Sequence, residues 1–202
     1  MAGEEPAQKR TRLNGVLRLA ESCGFEAGHT FQVTRLALRL FDELRSWHRL
    51  GEPERFWLEC AGLLHDIGWM EGQAGHHKAS LRAILGSSLL PFDARERYVV
   101  GSIARYHRKA LPSPKHPHFA ALAPADREVV RVLAAILRVA DGLDRSHQSL
   151  VQDLVCELSP NLLTIRCRVR GFAEVERETA LKKGDLLRSV LGREVRIVCE
   201  RD

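Results

Sequence analysis

The sequence has few cysteines and no arrangement of them typical of a disulfide framework or a zinc ribbon. The five cysteines are widely spaced along 202 residues, and none forms a C-x-x-C pair. An odd number without short spacings argues against both classes. We therefore expect buried free thiols in a reducing, cytoplasmic environment.

Long apolar runs are also missing. The most apolar stretch, residues 129–140, is interrupted by Arg131 and Arg138, whereas a membrane span needs about 20 apolar residues. The first ten residues are polar and lack the apolar core of a signal peptide. Gly and Pro number 15 and 8, too few for a collagen-like or low-complexity chain. These absences predict a globular protein with no membrane partner.

The chain carries a modest excess of positive charge. Lys and Arg total 31 against 26 Asp and Glu, a formal net charge of +5. Residues 100–150 hold eight basic and four acidic residues, so four units of the excess lie there. This charge permits an anionic partner, and nucleic acid, nucleotides and polyphosphate are all compatible with it. A nucleic-acid partner is not expected, because helix-turn-helix, zinc-finger and aromatic-basic patterns are absent.

Apolar residues recur with helical spacing through most of the first 150 residues. The pattern predicts helices over residues 11–23, 28–44, 52–68, 77–85, 94–104 and 124–141, with a proline-rich loop over 110–124. Residues 162–169 and 195–199 alternate in the manner of strands, with a helix over 175–191 between them. The predicted fold is mainly α: a disordered tail (1–10), a helical domain (11–150) and a small C-terminal α/β subdomain (151–202).

A polar pair lies at the predicted end of one apolar helix. His65 and Asp66 follow Leu63 and Leu64, and we expect Gly68 to end the helix just beyond them. A carboxylate close to core depth is costly unless a positive group pairs with it. A divalent metal would supply that charge and accepts mixed oxygen and nitrogen ligands.

Three other predicted helices each place a metal-competent residue on the apolar stripe near one end. These residues are His29, His107 and Asp141. Each alone is more often a satisfied core histidine or a helix-terminal ion pair. Their coincidence with His65 and Asp66 predicts a shared metal site.

The pattern H…HD…D, formed by His29, His65-Asp66 and Asp141, resembles the signature of the HD-domain superfamily of metal-dependent phosphohydrolases. Similarity to the C-terminal HD region of exopolyphosphatase/guanosine pentaphosphate phosphatase (Ppx/GppA) proteins is carried by residues 38–44, 76–78, 104–109 and 138–147 and by the α/β tail. The resemblance implies an HD-domain helical bundle. Ppx/GppA proteins also contain an N-terminal actin-like fold, and their phosphatase chemistry is attributed to that fold. No Gly-rich phosphate loop precedes His29, so exopolyphosphatase activity is not expected to transfer.

The resemblance also implies one or two divalent ions, with Mn, Fe, Co, Ni, Zn or Mg as candidates. The expected metal ligands are His29, His65, Asp66, His107, Asp141 and one of the pair His76 and His77, with His77 slightly favoured. His65 and Asp66 are also the expected catalytic residues, with Asp66 bridging two ions. The reaction expected is attack on phosphorus by a metal-activated hydroxide.

Other residues near these segments are candidates for supporting roles. Arg108, Lys109 and Arg145 are expected to contact phosphate. Asp144 either orients a metal ligand or pairs with Arg145. Trp69 is either a core residue or a wall of the pocket. We expect His48, His116, His118 and His147 to be surface or loop residues.

Two functions are compatible with these residues. The first is a metal-dependent phosphohydrolase that cleaves a phosphoester or phosphoanhydride of a nucleotide, an alarmone or polyphosphate. The alternative is a non-catalytic HD module that binds a nucleotide or polyphosphate, or a regulatory partner-binding domain. The intact set of metal-competent residues favours the enzyme. The sequence leaves open whether the chain forms a homodimer.

Overall fold

A computed structural model describes residues 6–72 and 74–201. The helices are α1 (Pro6–Ser22), α2 (Ala27–Glu43), α3 (Arg45–His48), α4 (Glu52–Leu64), α5 (His76–Gly86), α6 (Ala94–Arg105), α7 (Pro117–Ala120), α8 (Pro124–Gly142), α9 (Glu174–Lys183) and α10 (Asp185–Leu191). A 3-10 helix covers Ile67–Glu71, and the strands are β1 (Val151–Leu158), β2 (Leu162–Val169) and β3 (Glu194–Arg201). The predicted class, mainly α with a small α/β appendage, is confirmed. Within the described residues no helix is long and apolar enough to cross a bilayer.

Helix α8 lies at the centre of the molecule and packs against α2, α4, α6, α9 and α10. Its residues Val130, Leu133 and Leu137 are fully buried, because their spacing places them on one apolar stripe. Asp141 occupies the last turn of this helix. The packing of α8 therefore carries that carboxylate to the place where several elements meet.

Helix α4 ends at Leu64, earlier than the end predicted at Gly68. His65 keeps helical backbone angles, but Asp66 (φ −111°, ψ 8°) leaves them and the 3-10 helix follows. Gly68 has a different role, since a Cβ there would lie 2.1 Å from the carbonyl oxygen of His76. The Ser80 hydroxyl donates to the carbonyl of His65 (2.8 Å) and accepts from the amide of Gly68 (2.9 Å). Helix α5 is thereby held against the turn that carries His65 and Asp66.

The C-terminal segment forms a three-stranded sheet in the order β1-β2-β3. Strands β1 and β2 are antiparallel, whereas β2 and β3 are parallel with Ile165 opposite Ile197. Helices α9 and α10 connect β2 to β3 and pack on α8, and β1 packs on α2. The segment therefore shares one hydrophobic core with the helices, and the domain boundary at residue 150 stays a prediction.

The structure also differs from the predicted elements elsewhere; for example, the short helix α3 was not predicted. Helix α1 begins at Pro6 where a tail was expected, since residues 7–10 are good helix formers; residues 1–5 lie outside the described residues. The loop over 110–124 contains the short helix α7, and strand β1 was not predicted. The helix predicted over 175–191 is divided at Gly184, a residue with low helix propensity.

Candidate metal centre

The carboxylate of Asp66 lies between two groups of imidazoles. Its Oδ2 is 3.5 Å from Nε2 of His65 and 3.9 Å from Nε2 of His29. Its Oδ1 is 3.1 Å from Nε2 of His76 and 3.3 Å from Nε2 of His107. Within each of the two groups the potential ligand atoms, with that of Asp66 included, lie within 4.8 Å of one another. The arrangement is two adjoining clusters that share one carboxylate.

Asp141 joins the first of these clusters. Its Oδ1 lies 3.4 Å from Nε2 of His29, and its Oδ2 forms an ion pair with the ammonium of Lys183 at the end of α9. Burial, followed by the charge of Arg138, lowers the pKa of Lys183 to about 7. Sequence reasoning missed Lys183, because it lies in a distant segment and only the packing of α9 on α8 brings it to Asp141.

Three of the imidazoles are oriented by hydrogen bonds at Nδ1. His65 donates to the carbonyl of Gly62 (2.7 Å) and His107 to that of Ala104 (2.7 Å). His29 donates to Oδ2 of Asp144 (2.9 Å). A proton held at Nδ1 leaves the lone pair on Nε2, and each Nε2 faces Asp66. This is the tautomer and orientation in which protein imidazoles bind metals.

Asp144 is fully buried, and both of its oxygens are engaged. Besides accepting from His29, it accepts the amide of Ser149 at Oδ1 (2.8 Å). Of the two roles that the sequence left open for Asp144, the geometry favours orientation of His29 over pairing with Arg145.

Two buried polar atoms of this site indicate that its residues fit a metal. In the described part of the chain, Nε2 of His65 and Oδ1 of Asp66 are buried without a well-formed hydrogen bond, although imidazoles surround the oxygen. Leaving such atoms unpaired is costly, and one divalent ion beside each would satisfy them. Imidazole nitrogens and carboxylate oxygens suit Mn, Fe, Co, Ni or Zn. The donor set therefore fits a divalent metal.

The protonation states agree with metal binding. Burial alone would raise the pKa of Asp66, but His65, His107 and His76 hold that pKa well below its usual range. Burial lowers the pKa of His65 and of His107. An anionic carboxylate beside the neutral imidazoles of His65 and His107 is the state that binds cations without first releasing protons.

The structure separates His76 from its neighbour His77. His76 belongs to the second cluster, and its ring stacks between Trp69 (4.9 Å) and His107 (5.6 Å). His77 is buried but belongs to neither cluster found among the described residues. Burial and the charge of Arg105 lower the pKa of His77 to about 4. Consecutive helical positions point in different directions, so the geometry favours His76, contrary to the slight preference drawn from the sequence.

A cavity of about 360 Å³ opens onto both clusters. Four basic residues line it: Arg108, Lys109, Arg145 and Lys183. The first three are the expected phosphate contacts, which the structure brings together at this cavity. Trp69 lines the cavity and is 43% exposed, so it is a wall of the pocket and not a core residue.

His147 is an exposed loop residue, as the sequence predicted, and it also lines the cavity. Its ring stacks on that of His29 with centroids 3.8 Å apart, and its Nδ1 bonds Glu26 (2.8 Å). His147 has a left-handed backbone (φ 58°), which no helical or strand periodicity reveals. Thr179 of α9 is a further cavity residue that the sequence did not indicate.

A protein-family model matches most of this chain. A family model described as Ppx/GppA phosphatase, domain III, matches residues 11–190. The match includes both clusters, Asp141 and the cavity residues on α9. It agrees with the HD-domain resemblance drawn from the sequence.

Proposed function

Because this chain belongs to the Ppx/GppA phosphatase domain III family, we propose that it is a metal-dependent phosphohydrolase with its active site at the Asp66 clusters. The proposed substrate is a phosphoester or phosphoanhydride of a nucleotide, an alarmone or polyphosphate. The observation that carries the proposal is one carboxylate shared by two imidazole clusters beneath a cavity lined by cations.

The first ion would be held by His29, His65, Asp66 and Asp141, and the second by Asp66, His76 and His107. Divalent ions supply Lewis-acid chemistry and a source of hydroxide at neutral pH. The chain itself fixes the donors: the bond from His29 to Asp144 and the carbonyl bonds of His65 and His107 keep each Nε2 in place. Such preorganisation removes the cost of rearranging the donors during the reaction.

The basic residues of the cavity would bind the phosphoryl oxygens of the substrate. Arg108 and Arg145 can each offer two parallel N–H groups to one phosphate, and Lys109 and Lys183 add point charges. Lys183 and Thr179 come from α9, so the C-terminal segment contributes part of the substrate pocket. Trp69 stacks on His76 and closes the side of the cavity beside the second cluster.

Phosphate release from a panel of substrates tests the proposal. The full chain, loaded with Mn²⁺ or Mg²⁺, is incubated with nucleotides, alarmones and polyphosphate. Asp66→Ala should abolish release. Asp153→Ala removes a partly exposed carboxylate of β1 that pairs with Arg39 of α2, and it should leave release unchanged. The enzyme proposal fails if metal-loaded wild type turns over no substrate, or if Asp66→Ala keeps its activity.

A non-catalytic binding module is the second candidate, and the ion pair between Lys183 and Asp141 favours it. An ammonium beside that carboxylate supplies positive charge without a metal. In this case the cavity would bind a nucleotide or polyphosphate without turnover. Binding of the same panel by the metal-free chain, with no phosphate released after metal loading, would select this alternative.

The remaining parts of the proposal concern location and partners. All five cysteines are free thiols, which fits the reducing cytoplasm that we propose. The proposed partner is a small phosphate-containing anion.

A further inference from the structure

Arg105, the last residue of α6, is a buried cation with no counter-ion in the described part of the chain. Arg105 is only 6% exposed, and its Nη1 is buried with no hydrogen-bond partner among residues 6–72 and 74–201. No acidic residue in the described ranges forms an ion pair with it. A guanidinium stays charged in proteins, and a buried charge without a partner costs several kcal/mol. The fold therefore holds a costly group whose pairing is incomplete.

The surroundings of Arg105 are histidines and further cations. Its Cζ lies 5.9 Å from the ring of Tyr106, whose hydroxyl bonds Nδ1 of His116 (2.7 Å). The ring of His118 lies 5.4 Å from that of Tyr106 and is stacked with His116. After burial, the charge of Arg105 is the next cause that lowers the pKa of His77, His116 and His118. Helices α5 and α7, which carry His77 and His118, both pack on α6, the helix that ends at Arg105.

Three more polar atoms in this region also lack partners. Nδ1 of His77, Oγ of Ser102 and Nε2 of His118 are buried and have no hydrogen bond to any residue that the structure describes. Ser102 precedes Arg105 by one helical turn on α6, so the two residues are neighbours on the helix surface. His77 comes from α5 and His118 from α7. Each of these atoms can donate a hydrogen bond, since a neutral imidazole carries one N–H and a hydroxyl rotates.

We propose that these four residues, His77, Ser102, Arg105 and His118, form a binding site for a phosphate-type oxyanion, distinct from the metal centre. We call them the Arg105 cluster. A tetrahedral oxyanion accepts hydrogen bonds from several directions, which matches donors supplied by three helices. Its negative charge would pair the guanidinium, and its oxygens would satisfy the other donors. His77, which the metal clusters leave out, thereby acquires a partner.

Inorganic phosphate is the probe that tests this site. The imidazole signals of His116 and His118 are followed by NMR in the full, metal-free chain during titration with phosphate, with chloride at matched ionic strength as the control. Phosphate should shift these signals saturably and chloride should not. Arg105→Met should weaken phosphate binding at these signals by about tenfold or more, the loss expected for a charge-assisted hydrogen bond. Arg145→Met, which alters the cavity of the metal centre, should leave it unchanged.

Thermal melting supplies an independent measurement. Without phosphate, Arg105→Met should melt at a higher temperature than wild type, because an unpaired buried charge has been removed. With phosphate, the stabilisation of wild type should exceed that of the variant. If Arg105→Met melts lower than wild type in phosphate-free buffer, Arg105 is satisfied within the protein and the proposal is wrong.

The variant His118→Phe tests the same site if Arg105→Met fails to fold. It keeps an aromatic ring and removes the unsatisfied nitrogen, so phosphate should bind several-fold more weakly, as read from the His116 signals. The proposal is overturned if phosphate produces no saturable shift in wild type, or if His118→Phe binds it equally well. Acetate that binds as tightly as phosphate would overturn the assignment to a tetrahedral oxyanion.

Discussion

Lys183 of α9 forms an ion pair with Asp141 at the last turn of α8. The contact links the C-terminal α/β segment to the candidate metal centre, because the other oxygen of Asp141 faces His29 at 3.4 Å. The ammonium therefore competes with a cation for the same carboxylate, and it also lines the cavity proposed to receive phosphate.

Replacing Lys183 should move metal affinity and phosphate affinity in opposite directions. Lys183→Met removes a positive charge beside the first cluster, so Mn²⁺ should bind about tenfold more tightly. The same change removes a cation from the cavity, so phosphate should bind the metal-loaded protein more weakly. Calorimetric titration measures both. Lys182→Met, at the neighbouring exposed position, is the matched control, and weaker metal binding in Lys183→Met would contradict the account.

Asp144 should control metal affinity without touching the metal. Asp144→Asn keeps an acceptor for the Ser149 amide but loses the charged acceptor that fixes the proton at Nδ1 of His29. We expect metal affinity at the first cluster to fall by about 10–100-fold, as for other groups that orient metal-binding histidines. Asp153→Asn, on β1, should leave affinity unchanged. Equal affinities in the two variants would show that Asp144 has only a structural role.

His76 and His77 form a matched pair that discriminates between the two candidate ligands. His76→Gln should lose about one bound ion per chain, because the second cluster is left with Asp66 and His107. His77→Gln should retain the metal content of wild type. Elemental analysis of the purified, metal-loaded proteins gives the comparison. If only His77→Gln loses metal, then His77 is the ligand, as the sequence slightly favoured.

Gly68 should be essential for packing near the site. A Cβ at this position would lie 2.1 Å from the His76 carbonyl oxygen and 2.6 Å from the Ser80 amide nitrogen. Since backbone atoms cannot yield as a flexible side chain does, Gly68→Ala should lower the free energy of unfolding by at least about 1–3 kcal/mol. Gly28→Ala in α2, where nothing lies within 4 Å, should raise it by about 0.4–1 kcal/mol. Chemical denaturation measures both, and a neutral Gly68→Ala would refute the packing argument.

Helical periodicity carries enough information to place one part of the site. His29, His107 and Asp141 follow the apolar stripes of their helices, and a stripe must face the core whichever way the helices are packed. The structure accordingly gathers these residues around His65 and Asp66. The same argument predicts most helices, because burial of one face dominates their stability.

Periodicity cannot place the remaining residues of the site. His76 and His77 are adjacent near the start of α5, where a small rotation of the helix decides which one faces Asp66. His147 reaches His29 through a left-handed turn, and Lys183 reaches Asp141 through the packing of two distant helices. These contacts depend on tertiary geometry, which a single sequence does not express as a local pattern.

The metal content of Asp66→Ala tests the central claim most directly. If Asp66 is shared by both clusters, wild type loaded with Mn²⁺ and dialysed should hold about two ions per chain. Asp66→Ala should then hold almost none, a larger loss than either His76→Gln or Asp144→Asn produces, while it keeps a cooperative melting transition. A folded Asp66→Ala protein with the metal content of wild type would contradict the account.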